Sequence, residues 1–102
     1  MAAKYVNVTT SPATTTLITK SRVADGNISK ISIANFSDNA NPATVNLFLQ
    51  DASANDYYFF KNVSLHKGAS IVLDDNLSFD GSTYSLKMYS TGTDPALTVI
   101  IK

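Results

Sequence analysis

The sequence predicts an all-β protein, a single antiparallel β-sandwich of about eight strands with immunoglobulin-like or jelly-roll topology. Three observations lead there. Apolar residues alternate with polar ones in short runs, as in Val45-Asn46-Leu47-Phe48-Leu49 and Leu97-Thr98-Val99-Ile100-Ile101. Polar turns separate these runs at intervals of about 8–12 residues, and no stretch carries a helical period. A chain of 102 residues is large enough for one core and no more. The missing cysteines and tryptophan exclude an antibody-type domain but leave the two topologies open.

In chain order, Tyr5-Val6-Asn7-Val8 is a candidate edge strand, with Val6 and Val8 on one face. Thr9 to Pro12 break it, so residues 1–12 read as an N-terminal edge strand or arm and 13–102 as the sandwich. The arm, from Ala2 to Thr10, either adds to a neighbour's sheet or completes its own. Ala13 to Lys20 is β-branched and extended, with Leu17 or Ile18 its core contact. Asp25-Gly26-Asn27 is a turn. In the strand from Ile28 to Phe36, Ile31 and Ile33 share a face while Ile28 and Phe36 are out of phase, as a bulge or an end twist would produce.

After the polar connection Ser37–Pro42 comes the cleanest alternation. Val45, Leu47 and Leu49 face one way, and Asn46, Phe48 and Gln50 the other. Asp51–Asn55 then turns the chain into Asp56–Ser70, which opens with four aromatics. Tyr57 and Phe59 share a face with Val63 and Leu65, with Lys61 marking a bend or bulge, and this face is expected to be core. Tyr58 and Phe60 fall on the outer face, where antiparallel pairing would bring Phe48 beside one of them. Ile71 and Leu73 form the next inner pair, and Leu77 and Phe79 a short apolar one. Tyr84, Leu86 and Met88 point inward with Tyr89 opposite, and Leu97, Val99 and Ile101 close the pattern.

Charge and chemistry exclude several functions. Eight basic residues balance eight aspartates, with no glutamate, so nothing suggests a phosphate-neutralising surface, and no nucleic-acid partner is expected. The neutral balance suits a protein held in an assembly. No apolar run of membrane or leader length occurs, so no membrane contact is expected and synthesis is placed in the cytoplasm of the producing cell. A single histidine, His66, with no cysteine offers no zinc site and no triad, so neither catalysis nor a cofactor is expected. Asp74, Asp75 and Asp80 could bring oxygen ligands to calcium, although Asp-rich turns form equally well by capping their own backbone. Tyr57, Tyr58, Tyr84, Tyr89, Phe48 and Phe60, beside Asp56, Asn46 and Gln50, could stack on sugar rings or pack against protein.

The run Tyr57-Tyr58-Phe59-Phe60-Lys61-Asn62-Val63-Ser64-Leu65-His66-Lys67-Gly68-Ala69-Ser70 resembles small β-sandwich structural proteins of tailed-bacteriophage virions. Its signature there is an aromatic strand, Lys-Asn-Val, an alternating apolar pair and a glycine turn. Thr15-Thr16-Leu17-Ile18, the strand around Ile31–Phe36, Ala43-Thr44-Val45 and the final strand extend the likeness over about Thr14 to Lys102, with a departure at His66-Lys67. The resemblance implies a non-enzymatic virion component made in a bacterial host, foremost a capsid decoration or cement protein. Major capsid or tail proteins and further copies of the chain would be its partners. The alternative is a tail, neck or fibre module that binds carbohydrate or a receptor. Candidate interface residues are Phe48, Tyr58, Phe60 and Tyr89, with Tyr5, Val6 and Val8 from the N-terminal strand.

Overall fold

The computed structural model, which describes residues 3–102, contains eight strands and no helix among those residues. They are β1 (Lys4–Val8), β2 (Ala13–Ile18), β3 (Ile31–Asn35), β4 (Ala43–Gln50), β5 (Asp56–Leu65), β6 (Ser70–Leu73), β7 (Ser85–Thr91) and β8 (Leu97–Ile101). Met1 and Ala2, which the expected arm includes, lie outside the described residues. Two four-stranded antiparallel sheets face each other, ordered β1-β8-β3-β6 and β2-β7-β4-β5. Their stacking gives a molecule of 41 × 27 × 18 Å, the shortest extent being that of two layers about 10 Å apart with side chains on both outer faces.

The strand order selects between the two topologies. β1 pairs with β8, β2 with β7, β3 with β6 and β4 with β5. The chain therefore behaves as one long hairpin folded at Asp51–Asn55 and rolled up, the rolling adding the β3–β8 and β4–β7 pairs. That is a jelly roll, and an immunoglobulin order would instead join successive strands.

The core lies between the sheets. From the first it takes Val8, Ile31, Ile33, Leu97, Val99 and Ile101, and from the second Leu17, Ile18, Val45, Leu47, Leu86 and Met88, all buried. Leu17 and Ile18 are both core because the register shifts between Thr16 and Ile18, which turns two consecutive residues inward. β3 is shorter than the sequence suggested: Ile28 is buried from a loop and Phe36 lies outside the strand, 55% exposed. Asn35 ties the sheets together, its buried amide donating to the Leu65 carbonyl at 2.9 Å.

β5 departs most from simple alternation. Against β4, Val63 lies opposite Val45, Phe60 opposite Leu47 and Tyr58 opposite Phe48, with register shifts on both sides of Leu47. Two residues, Lys61 and Asn62, thus face the single Asn46, and Phe59 is an extra residue between two pairs. Asn62 takes φ of 56°, a conformation asparagine tolerates better than most residues. The bulge expected near Lys61 is present. Its effect on the aromatics is a correction to the simple alternation: Phe60 joins Leu47 on the core side, and Phe59 also packs against the core. Tyr57, expected inside, is 52% exposed at the end of the sheet and meets Tyr84 edge-on at 5.7 Å.

Candidate functional site

The roll leaves two outer sheet faces of different chemistry. On the first sheet, register sets Tyr5 beside Ile100, Ile100 beside Ser32 and Ser32 beside Val72. This row crosses all four strands. Tyr5 is 68% and Val72 49% exposed, with Ile100 half-buried between them. The neighbouring row is Asn7, Thr98, Ala34 and Ser70, small and uncharged, with Thr98 Oγ1 donating to Asn7 Oδ1 at 2.7 Å. Lys30 and Lys102 border the apolar row at one end, around a shallow hollow that Ser32, Val72 and Ile100 also line.

The outer face of the second sheet carries Thr14, Tyr89 and Asn46 in one row, Thr16, Lys87, Phe48 and Tyr58 in the next, and Ser85, Gln50 and Asp56 in the third. Between them is an open depression of about 370 Å³. Buried Asn46 and Phe48 form its floor, and half-exposed Tyr58 and Tyr89 rise on either side. Phe48 packs against Tyr58 with ring centroids 5.4 Å apart, the cross-strand contact the alternation predicted. Lys61 places its ammonium 5.0 Å from the Tyr58 ring centre, a cation–π contact.

Hydrogen bonds hold the polar lining in place. Asn46 donates its amide to the Tyr89 carbonyl at 3.1 Å and accepts the Asn62 backbone N–H at 2.9 Å. Gln50 bridges Lys87 of the second row and Asp56 of the third, accepting from Lys87 Nζ at 2.6 Å and donating to Asp56 Oδ1 at 2.9 Å. The adjoining hairpin loop is fixed by Asp51, whose carboxylate accepts the backbone N–H groups of Ser53 and Asn55 and the Asn55 amide. The Asn55 backbone donor, with its side chain, holds the Asp51 carboxyl below its ordinary value.

The expected interface residues therefore separate. Tyr58 and Tyr89 are on the second outer face as read. Phe48 is on that face too but only 6% exposed, beneath Tyr58 rather than open to a partner. Phe60 points to the core, and so do Val6 and Val8, because β1 completes its own sheet against β8. Of the three candidates from the N-terminal strand, Tyr5 alone faces outward. Sequence reasoning did not find the Tyr5–Ile100–Val72 row, since its members come from three strands whose neighbours only the roll defines. It also passed over Asn62, whose place opposite Asn46 depends on the bulge.

The remaining polar candidates are structural in their contacts. His66 is exposed in the turn between β5 and β6, where its carbonyl accepts the Ala69 N–H at 3.0 Å. Asp80 accepts from Ser82 N, Ser82 Oγ and Thr83 Oγ1, while Asp74 and Asp75 line a separate hollow with Asn27 and Asn76. Among the described residues no three acidic, histidine or cysteine side chains gather as a metal site.

No protein-family model matches the chain. No curated protein matches it by sequence. Among solved structures, a chain of the structure of infectious bursal disease virus Gx strain aligns with 99% of this chain at 9% identity and a TM-score of 0.44. The alignment takes in 32% of that chain, so the present chain spans about a third of its neighbour's length.

Proposed function

We propose that this chain is a non-enzymatic structural subunit of a virus particle, of the tailed-bacteriophage kind, and that it decorates and stabilises the capsid by binding neighbouring subunits. The observation that carries this reading is the Tyr5–Ile100–Ser32–Val72 row on the first sheet. Covering such side chains is worth roughly 2 kcal/mol each, and repetition over many copies turns a modest contact into durable attachment. The small, uncharged neighbouring row allows a flat partner to approach closely. Lys30 and Lys102 at its edge favour a partner with carboxylates in the matching position. Jelly rolls serve as capsid domains and also as lectins, so the fold agrees with the reading by analogy and the surface supplies the argument.

The test is incorporation. Purified particles from the producing host are expected to contain the chain in fixed proportion to the major capsid protein. A Tyr5→Asp/Val72→Asp variant, altered only at exposed positions, should fold but stay in the unassembled fraction. A chain absent from particles rejects the virion role, and normal incorporation of the variant rejects this surface.

A further inference from the structure

We propose that the depression on the outer face of the second sheet binds a neutral pyranose ring of an oligosaccharide. This site is on the opposite side from the Tyr5 row and does not rest on the virion role.

The lining determines the class of ligand. Its sides offer aromatic surface from Tyr58 and Tyr89, with buried Phe48 backing the Tyr58 ring from the floor, which suits the C–H face of a sugar. Around that surface stand Asn46, Gln50, Asp56 and Lys61, which suit its hydroxyls. Asp56 uses Oδ1 on Gln50, leaving Oδ2 to accept from a sugar hydroxyl. Asn46 gives one amide hydrogen to Tyr89, and its second can reach a ligand oxygen. An apolar peptide laid here would cover these groups without matching them, at a cost in desolvation. An anion would meet Asp56, and a nucleic-acid strand would find one lysine, Lys61, and a carboxylate instead of a basic track. A ring bearing hydroxyls around an apolar face matches both parts of the lining.

The site is also formed before any ligand arrives. Gln50 is held at both ends of its amide by Lys87 and Asp56, and Asn46 by Tyr89 and Asn62. Little side-chain freedom remains to be lost on binding. The concavity has a local cause: the bulge at Lys61–Asn62 re-aims β5 opposite Asn46, opening space between Tyr58 and Tyr89. Its volume of about 370 Å³ lies at the small end of ligand sites, appropriate to one or two rings.

The experiment follows backbone amide shifts by NMR while the full chain is titrated with the methyl glycosides of glucose, galactose, mannose and N-acetylglucosamine. N-acetylneuraminic acid serves as the anionic comparison. At least one neutral glycoside should shift Asn46, Tyr58, Asn62 and Tyr89 saturably, with Kd on the order of millimolar as one stacked ring would give. Tyr89→Ala and Asp56→Asn, both at exposed positions, should each weaken binding about tenfold without lowering the melting temperature. The proposal is overturned by absence of saturable shifts up to about 100 mM, more than ten times the expected Kd. Shifts confined to other residues, a response to the anionic sugar alone, or unchanged affinity in both variants overturn it equally.

Discussion

The side-chain oxygen of Asn46 accepts the backbone N–H of Asn62 at 2.9 Å. Asn46 is on the outer face of a central strand yet only 5% exposed, and Asn62 is the residue at which the neighbouring strand bulges. The bulge takes a backbone donor out of the ladder, and a side chain of the adjacent strand restores its partner. The same asparagine forms the floor of the depression, so one contact joins the stability of β5 to the shape of the site.

Asn46→Ala should therefore destabilise the fold by about 1–3 kcal/mol, the cost of leaving buried polar groups unpaired. Asn62→Gly should be far milder, because glycine adopts the positive φ without strain. Urea unfolding of both variants tests the pair. Equal losses would show that the backbone conformation, not the Asn46 contact, dominates.

Gly26 makes a second prediction. Its backbone runs so close to the Phe79–Gly81 segment that a Cβ would fall on the Phe79 carbonyl oxygen. Phe79 N donates to the Gly26 carbonyl, and Leu77 N to that of Ile28, both at 3.0 Å. Gly26→Ala should force these segments apart and cost about 2 kcal/mol or more, with buried Ile28 losing its cover. Thermal melting within a degree or two of the unaltered protein would refute the close approach.

Acid should weaken the protein through its turns. Asp80 is held below its ordinary value of 3.8 chiefly by the Ser82 hydroxyl and then by Thr83. Asp51 is lowered first by the Asn55 backbone, and Asp25 by that of Asn27. A carboxyl lowered on folding contributes stability above its unfolded value and loses it as pH falls through the folded one. The melting temperature should be level from neutral pH to about 5 and fall below about 4. Asp80→Asn should flatten part of that fall, and a melting temperature constant down to about pH 2 would contradict the assignment.

Much of the fold was legible because local alternation reports burial wherever a strand stays in register. Val45–Leu47, Leu86–Met88 and Leu97–Val99–Ile101 were all read inward and are all buried. Phe60 and Tyr57 were misread for different reasons. Phe60 lies between the two register shifts of β5, where a parity counted from Val63 is reversed, whereas Tyr57 lies beyond both, opposite Leu49 as its parity implied, and is exposed because it sits at the end of the sheet. Val6, Val8 and Tyr5 fell into one candidate group although neighbouring strand residues face opposite ways. The choice of jelly roll depended on which distant strands pair, and alternation carries no record of that. The depression was half visible, since Asp56, Asn46 and Gln50 could be named beside the aromatics, but the hydrogen bonds that hold them come from strands apart in sequence.

The long-hairpin pairing also bears on how the molecule comes together. β8, the last strand in chain order, sits between β1 and β3, so the first sheet cannot be assembled by adding strands as they occur in the chain. Tyr5 finds Ile100 only after nearly the whole chain has been gathered. Loop closure on that scale precedes most of its reward, and folding belongs in the millisecond-to-second range of sandwiches, not the microseconds of helical bundles. Until β8 arrives, β1 is an unpaired strand with two inward valines, and in a crowded solution its nearest substitute partner is the β8 of another copy.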